Sequence, residues 1–218
     1  MRQAGNTATI ADALIPRSSA QVNILIDVAI IVGFAVLTGL AAQIKVYLNP
    51  AVPITGQTFA VLLAGATLGS KRGGASMLVY LVAGGLLGLP VFASGGAWSA
   101  SSRGYLIGFA AAAVVVGFLT ERGWSRNPLK LIVAMLLGEA AIYAFGLPWL
   151  ALYFSPTQLA SFAADGLLGS PTRLAVVWQW GVKDFIIGDT IKMLMAATGV
   201  PLAWMGIRRL KGENAGDS

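Results

Sequence analysis

Neither cysteine nor histidine occurs in this 218-residue chain, and only 11% of its residues are charged. The first absence removes disulfides, thiol nucleophiles and thiolate metal sites; the second removes imidazole bases and most zinc chemistry. No metal and no cofactor are therefore expected. No Gly-rich loop leads into a Lys-Ser or Lys-Thr pair, so ATP hydrolysis would need a partner. Polar residues are scarce too: the chain is 56% hydrophobic with a mean hydropathy of +0.75, where a soluble domain carries about a quarter charged residues. This composition predicts an integral membrane protein. The apolar runs are too continuous for barrel strands, which alternate over roughly ten residues, so the spans are helical. A net charge of +6 does not point to nucleic acid, because the basic residues flank apolar segments and form no stripe.

Six apolar segments can be drawn: Ile24–Ile44, Val52–Leu68, Ala75–Phe92, Tyr105–Leu119, Leu129–Leu150 and Val182–Ile207. The expected fold class is an all-α bundle of about six transmembrane helices with both termini cytoplasmic. Residues 1–21 form a polar N-terminal segment without a signal-peptide pattern, residues 22–211 one membrane domain, and residues 212–218 a polar tail. Charge supports the orientation. Arg2, Arg17, Lys71, Arg72, Arg122, Arg126, Lys130, Arg208, Arg209 and Lys211 fall on the cytoplasmic side, against Lys45, Arg103, Arg173 and Lys183 outside. That asymmetry obeys the positive-inside rule. The stretch 174–180, with Trp178 and Trp180, reads as an interfacial helix leading into the last span. Loops 94–104 and 151–173 are the candidate lids.

One pair of residues breaks the apolar pattern where charge is most costly. Asp189 and Lys192 lie in the last span, three positions apart, and so share a helix face. An acid and a base at bilayer depth mark a functional-site hypothesis. Glu139 lies about ten residues into the fifth span, as a proton-coupling group, a partner for Lys192 or a group in a helix interface. Asp27 suits its helix N-terminus. Gln57, Tyr80, Trp98, Tyr105, Tyr143 and Trp149 collect near the outer ends of spans, and Arg103 could meet an incoming anion. Gly65 with Gly69, Gly84 with Gly88, and Gly104 with Gly108 match the small-xxx-small helix-contact pattern. Ala35, Thr38, Gly39 and Ala42 give the first span a small-residue face able to accept another helix.

An ordered set of short motifs resembles the BioY family of biotin transporters. It comprises Pro53-Ile54-Thr55-Gly56-Gln57-Thr58, Leu63-Ala64-Gly65, Tyr80-Leu81 followed by Gly84-Gly85, and Gly88-Leu89-Pro90-Val91-Phe92-Ala93. Gly104-Tyr105-Leu106-Ile107-Gly108-Phe109, Ile142-Tyr143 with Gly146 and Trp149-Leu150, and Gly188-Asp189 with Lys192 complete it. Where the family often has Gly-Pro-Thr before Gly-Tyr, this chain has Ala100-Ser101-Ser102-Arg103.

The resemblance implies a non-enzymatic substrate-capture subunit of an energy-coupling-factor transporter in a prokaryotic cell membrane. Its implied partners are biotin, the lipid bilayer, a transmembrane coupling subunit and two ATPase subunits. It also implies that the small-residue face of the first span docks the coupling subunit. Asp189 would accept the ureido N–H groups and Lys192 would donate to the ureido carbonyl or pair with Asp189. Arg103 would hold the biotin carboxylate, with Lys192 as the rival. Gln57, Tyr80, Trp98, Tyr105 and Tyr143 would complete the site. The alternative is a stand-alone ion-coupled carrier for a small vitamin or organic acid. An intramembrane enzyme lacks a recognisable nucleophile or metal set, and homo-oligomer formation stays open.

Overall fold

The computed structural model describes residues 9–15, 19–94 and 101–211. The chain forms α1 (Ile10–Leu14), α2 (Ala20–Ala41), α3 (Gln57–Leu68), α4 (Ser70–Gly85), α5 (Arg103–Thr120), α6 (Pro128–Tyr153), α7 (Pro156–Ala164), α8 (Arg173–Val176) and α9 (Ile186–Leu210). Between α2 and α3 two short strands, β1 (Lys45–Val46) and β2 (Ile54–Thr55), pair antiparallel with Lys45 opposite Thr55. A π-helical turn, Val177–Lys183, joins α8 to α9.

Among the described residues, four helical stretches are long and apolar enough to cross a bilayer: Ala20–Ala41, Arg103–Thr120, Pro128–Tyr153 and Arg173–Leu210. The second and third expected spans are shorter. The 12 residues of α3 rise about 18 Å, well under the roughly 30 Å of a hydrocarbon core. The N-terminal part of that segment is not helix but the β1–β2 ribbon and its loop. Such backbone is tolerated at membrane depth where it lines a cavity, and here it does. The third segment is shifted: α4 begins at Ser70 and ends at Gly85.

Local chemistry sets the breaks. Gly69 ends α3 and starts α4 with φ +85, a left-handed conformation that favours glycine. The Glu121 carboxylate, from the end of α5, accepts bonds from the Ser70 N–H (2.7 Å) and hydroxyl (2.9 Å), satisfying the first turn of α4. Asn127 caps α6 by accepting from the Lys130 N–H (3.1 Å), with Pro128 in the first turn. Helices α5 and α6 touch backbone to backbone at glycines. A Cβ on Gly108 would stand 2.8 Å from the Ile142 Cα, and one on Gly146 2.5 Å from the Tyr105 ring.

Several expectations change at this level. Ala35, Thr38, Gly39 and Ala42 are buried inside this chain, so they form no free docking face. Thr38 hydrogen-bonds Phe34 O (2.8 Å) and lies 4.0 Å from the Met77 sulfur. A Cβ on Gly39 would meet Val91 at 3.2 Å. The outward face of α2 carries Ile24, Leu25, Val28, Val36 and Leu40. Trp178 is exposed, but Trp180 is buried against Phe154 and Phe162, with ring centroids 5.9 and 5.2 Å away. It belongs to the core, not to an interfacial belt. Part of the polar N-terminal segment folds onto the bundle as α1, with Ile10 and Ala11 buried. Asp27 pairs with Arg72 at 3.0 Å, and Arg72 also holds Asp12 at 2.9 Å.

Candidate functional site

A cavity of about 220 Å³ opens among the loops at one end of the bundle and descends between α3, α5, α6 and α9. Tyr47, Pro50 and Val52 of the β1–β2 loop line its upper part, with Ser94, Ser101 and Ser102. Lower down come Thr58 of α3, Phe109 of α5, Glu139 and Tyr143 of α6, and Asp189 and Lys192 of α9. Phe185, Asp189 and Lys192 face one space because they lie four and three positions apart, about one helical turn each. The turn at Asp184–Phe185 restarts the helix, so Asp189 falls in the first turn of α9, where the helix dipole favours a carboxylate.

The polar cluster is tightly connected. Lys192 donates to Asp189 Oδ1 (3.0 Å) and to Thr58 Oγ1 (2.8 Å). The Thr58 hydroxyl donates to Asp189 Oδ1 (3.3 Å), and the Tyr143 hydroxyl to Asp189 Oδ2 (3.1 Å). The ion-paired side chains are 6% exposed for Asp189 and 15% for Lys192, so water screens them little. An aromatic wall stands above. Tyr105 stacks on Phe185 (6.2 Å) and meets Tyr143 edge-on (6.3 Å), while its hydroxyl donates to Gly181 O in the π-helical turn (3.3 Å). Glu139 differs from its neighbours: it is buried, and neither carboxylate oxygen has a hydrogen-bond partner among the described residues.

The loop above is fixed by Asn49. Its Oδ1 accepts from the Ala51 and Val52 N–H groups (2.9 Å each), and its amide donates to Asp184 Oδ2 (2.8 Å). This ties the loop roof to the start of α9. Gln57 lines the cavity and donates to the Tyr80 hydroxyl (2.5 Å), which in turn donates to Val91 O (3.1 Å).

Of the residues singled out in the sequence, Asp189, Lys192, Gln57, Tyr105 and Tyr143 line one cavity. Tyr80 stands behind Gln57 and does not line it, so its expected place in the site is revised to a support. Arg103 is also revised: its guanidinium lies 5.3 Å from the Trp149 ring centroid, off the cavity wall. As the first residue of α5 it turns toward α6, while Ser101 and Ser102 take the cavity side. Trp98 lies outside the described residues. The loop 151–173, expected to be a lid, is not one: its helix α7 packs Leu159 and Phe162 into the core and lines no part of the cavity. Thr58 and Phe185 were missed. Thr58 is the last residue of the Pro53–Thr58 motif and carries no site signal of its own, whereas Phe185 lies four positions, about one helical turn, before Asp189, and that spacing is its signal.

Comparison with known proteins decides the family. The BioY family model matches residues 13–209. The chain belongs to the BioY family. A Lysinibacillus sphaericus relative named "Probable biotin transporter BioY" is 44% identical over 183 residues, 81% of this chain and 92% of that one. "Biotin transporter BioY" of Rhizobium etli is 32% identical over 184 residues, covering 79% and 88%. The crystal structure of the S-component for biotin from an ECF-type ABC transporter is similar in fold, with a TM-score of 0.63 and 22% identity over 91% of this chain and 96% of that one. In this BioY-family chain the matched region includes every cavity residue named above.

Proposed function

We propose that this chain captures biotin in the cavity and serves as the membrane-embedded substrate-binding subunit of an ECF-type vitamin transporter. The carrying observation is the Asp189–Lys192–Thr58–Tyr143 cluster, a buried acid and base sharing one cavity. Biotin has a cyclic urea with two N–H donors and one carbonyl, a thioether ring, an apolar chain and a carboxylate. Asp189 Oδ2 carries one bond and can accept a second, and Lys192 uses two of its three donors, leaving one for the urea carbonyl. Charge-assisted bonds of this kind are strong in a dry site. Tyr105, Tyr143, Phe109 and Phe185 supply apolar walls for the ring system.

Among the described residues the one cation at the deep end, Lys192, is already paired with Asp189, so the ligand's carboxylate finds no unpaired positive charge there and points to the loops. Ser101 and Ser102 line the cavity there, and Lys45 is held beside it by its bond to Ala93 O (2.5 Å). Lys71, Arg72, Arg122, Arg126, Lys130, Arg208 and Arg209 gather at the opposite end of the bundle. This supports a cytoplasmic position for that end and an outward-opening cavity. The apolar face of α2 is available to lipid or to a transmembrane coupling subunit, itself carried by two ATPases.

Calorimetric titration of the purified chain with a vitamin panel tests the reading. Biotin alone should bind tightly; equal affinity for an unrelated vitamin, or none for biotin, would remove it. Uptake in vesicles containing only this chain, driven by a pH gradient, would favour an ion-coupled carrier instead.

A further inference from the structure

The geometry points to Glu139 as a specificity-determining ligand residue: its carboxyl receives one of the two urea N–H groups, opposite Asp189. This rests on the cyclic-urea reading above. Glu139 lines the deep part of the cavity, is only 5% exposed, and has both oxygens without a partner among the described residues. Buried polar groups are almost always hydrogen-bonded, and at lipid depth an orphaned carboxyl is especially costly. Such a group persists when its partner arrives with the ligand.

Among the described residues no neighbouring donor reaches either Glu139 oxygen. The Lys192 ammonium is engaged by Asp189 and Thr58, and the Tyr143 hydroxyl is committed to Asp189. A cyclic urea presents N–H groups on opposite flanks of its carbonyl. It therefore needs an acceptor on each side and a donor between them. Asp189 on α9 and Glu139 on α6 provide two acceptors from two helices, and Lys192 provides the donor. A lactam or a single amide has one N–H and would leave one carboxyl unmatched, which disfavours it by the full penalty of an unpaired buried group.

The test uses the full chain in detergent, with biotin and its two ureido N-methyl isomers as probes. Glu139→Met removes the orphaned carboxyl while keeping an unbranched side chain of similar shape. Ligand-free Glu139→Met should melt higher than the wild type, because a costly buried group has gone, yet bind biotin about 10- to 100-fold more weakly. Glu139→Gln, which keeps a carbonyl acceptor, should lose less than Glu139→Met. One N-methyl isomer should be discriminated against by the wild type and no longer by Glu139→Met; the other should be rejected by both. Undiminished biotin binding by Glu139→Met, or identical discrimination by both proteins, overturns the assignment and leaves biotin capture standing. Failure of the wild type to bind biotin overturns the underlying reading, and this assignment with it.

Discussion

Replacing Asp189 by asparagine separates a ligand-binding charge from a structural strut. The carboxylate receives Lys192 and Thr58 on one oxygen and Tyr143 on the other. Asparagine keeps one oxygen and puts an amide donor where the other stood, so either Tyr143 or Lys192 then faces a donor. The Lys192 charge is also left without its counter-charge. Breaking a buried pair costs about 3–5 kcal/mol, and the 15% exposure of Lys192 places this case near the lower figure. That cost exists in the free protein as well, so it registers as a lower melting temperature. The loss in binding is one hydrogen bond to a charged acceptor, about 1.5–3 kcal/mol, or roughly 10- to 100-fold in Kd. Calorimetry for Kd and thermal unfolding in the same detergent measure the two parts. Combining Asp189→Asn with Lys192→Met removes the stranded charge. The double variant should therefore regain most of the lost stability while biotin affinity stays low. An Asp189→Asn protein that melts early but binds biotin within about threefold of wild type would reduce the pair to a packing element.

Three other perturbations have defined outcomes. Arg103→Ala should change affinity for biotin and for a neutral biotin amide equally, since the side chain lies over Trp149; a selective loss for biotin would return Arg103 to the ligand. Asp184→Ala removes the acceptor that anchors Asn49, a bond to a charged group worth about 1.5–3 kcal/mol. Biotin should then dissociate about tenfold faster in stopped-flow measurements, and an unchanged off-rate would free the loop roof from any role in retention. Gly146→Val places a Cβ against the Tyr105 ring, an overpacking cost of about 1–3 kcal/mol or more. Melting temperature and biotin affinity should fall together, because Tyr105 is both a packing residue and part of the cavity wall.

Much of this protein follows from local composition. A long apolar helix such as α2 or α5 is dictated by its own residues, because a bilayer requires every backbone group to be satisfied within the segment. Membrane class, helical class and the excess of basic residues at one end follow directly. So does the exceptional status of Asp189 and Lys192, since charge at lipid depth is costly wherever the helix packs. What the sequence could not settle depends on direction and on partners distant in the chain. Arg103 and Ser102 are adjacent, yet one faces Trp149 and the other the cavity, which only the packing of α5 on α6 decides. Ala35 and Gly39 have the spacing of a docking face, but that spacing does not say whether the neighbour is another protein or Val91 of the same chain. Glu139 looks like any acidic residue in a span. Its lack of a hydrogen-bond partner among the described residues is a property of the space around it, and that space exists only once four helices and a loop have closed upon it.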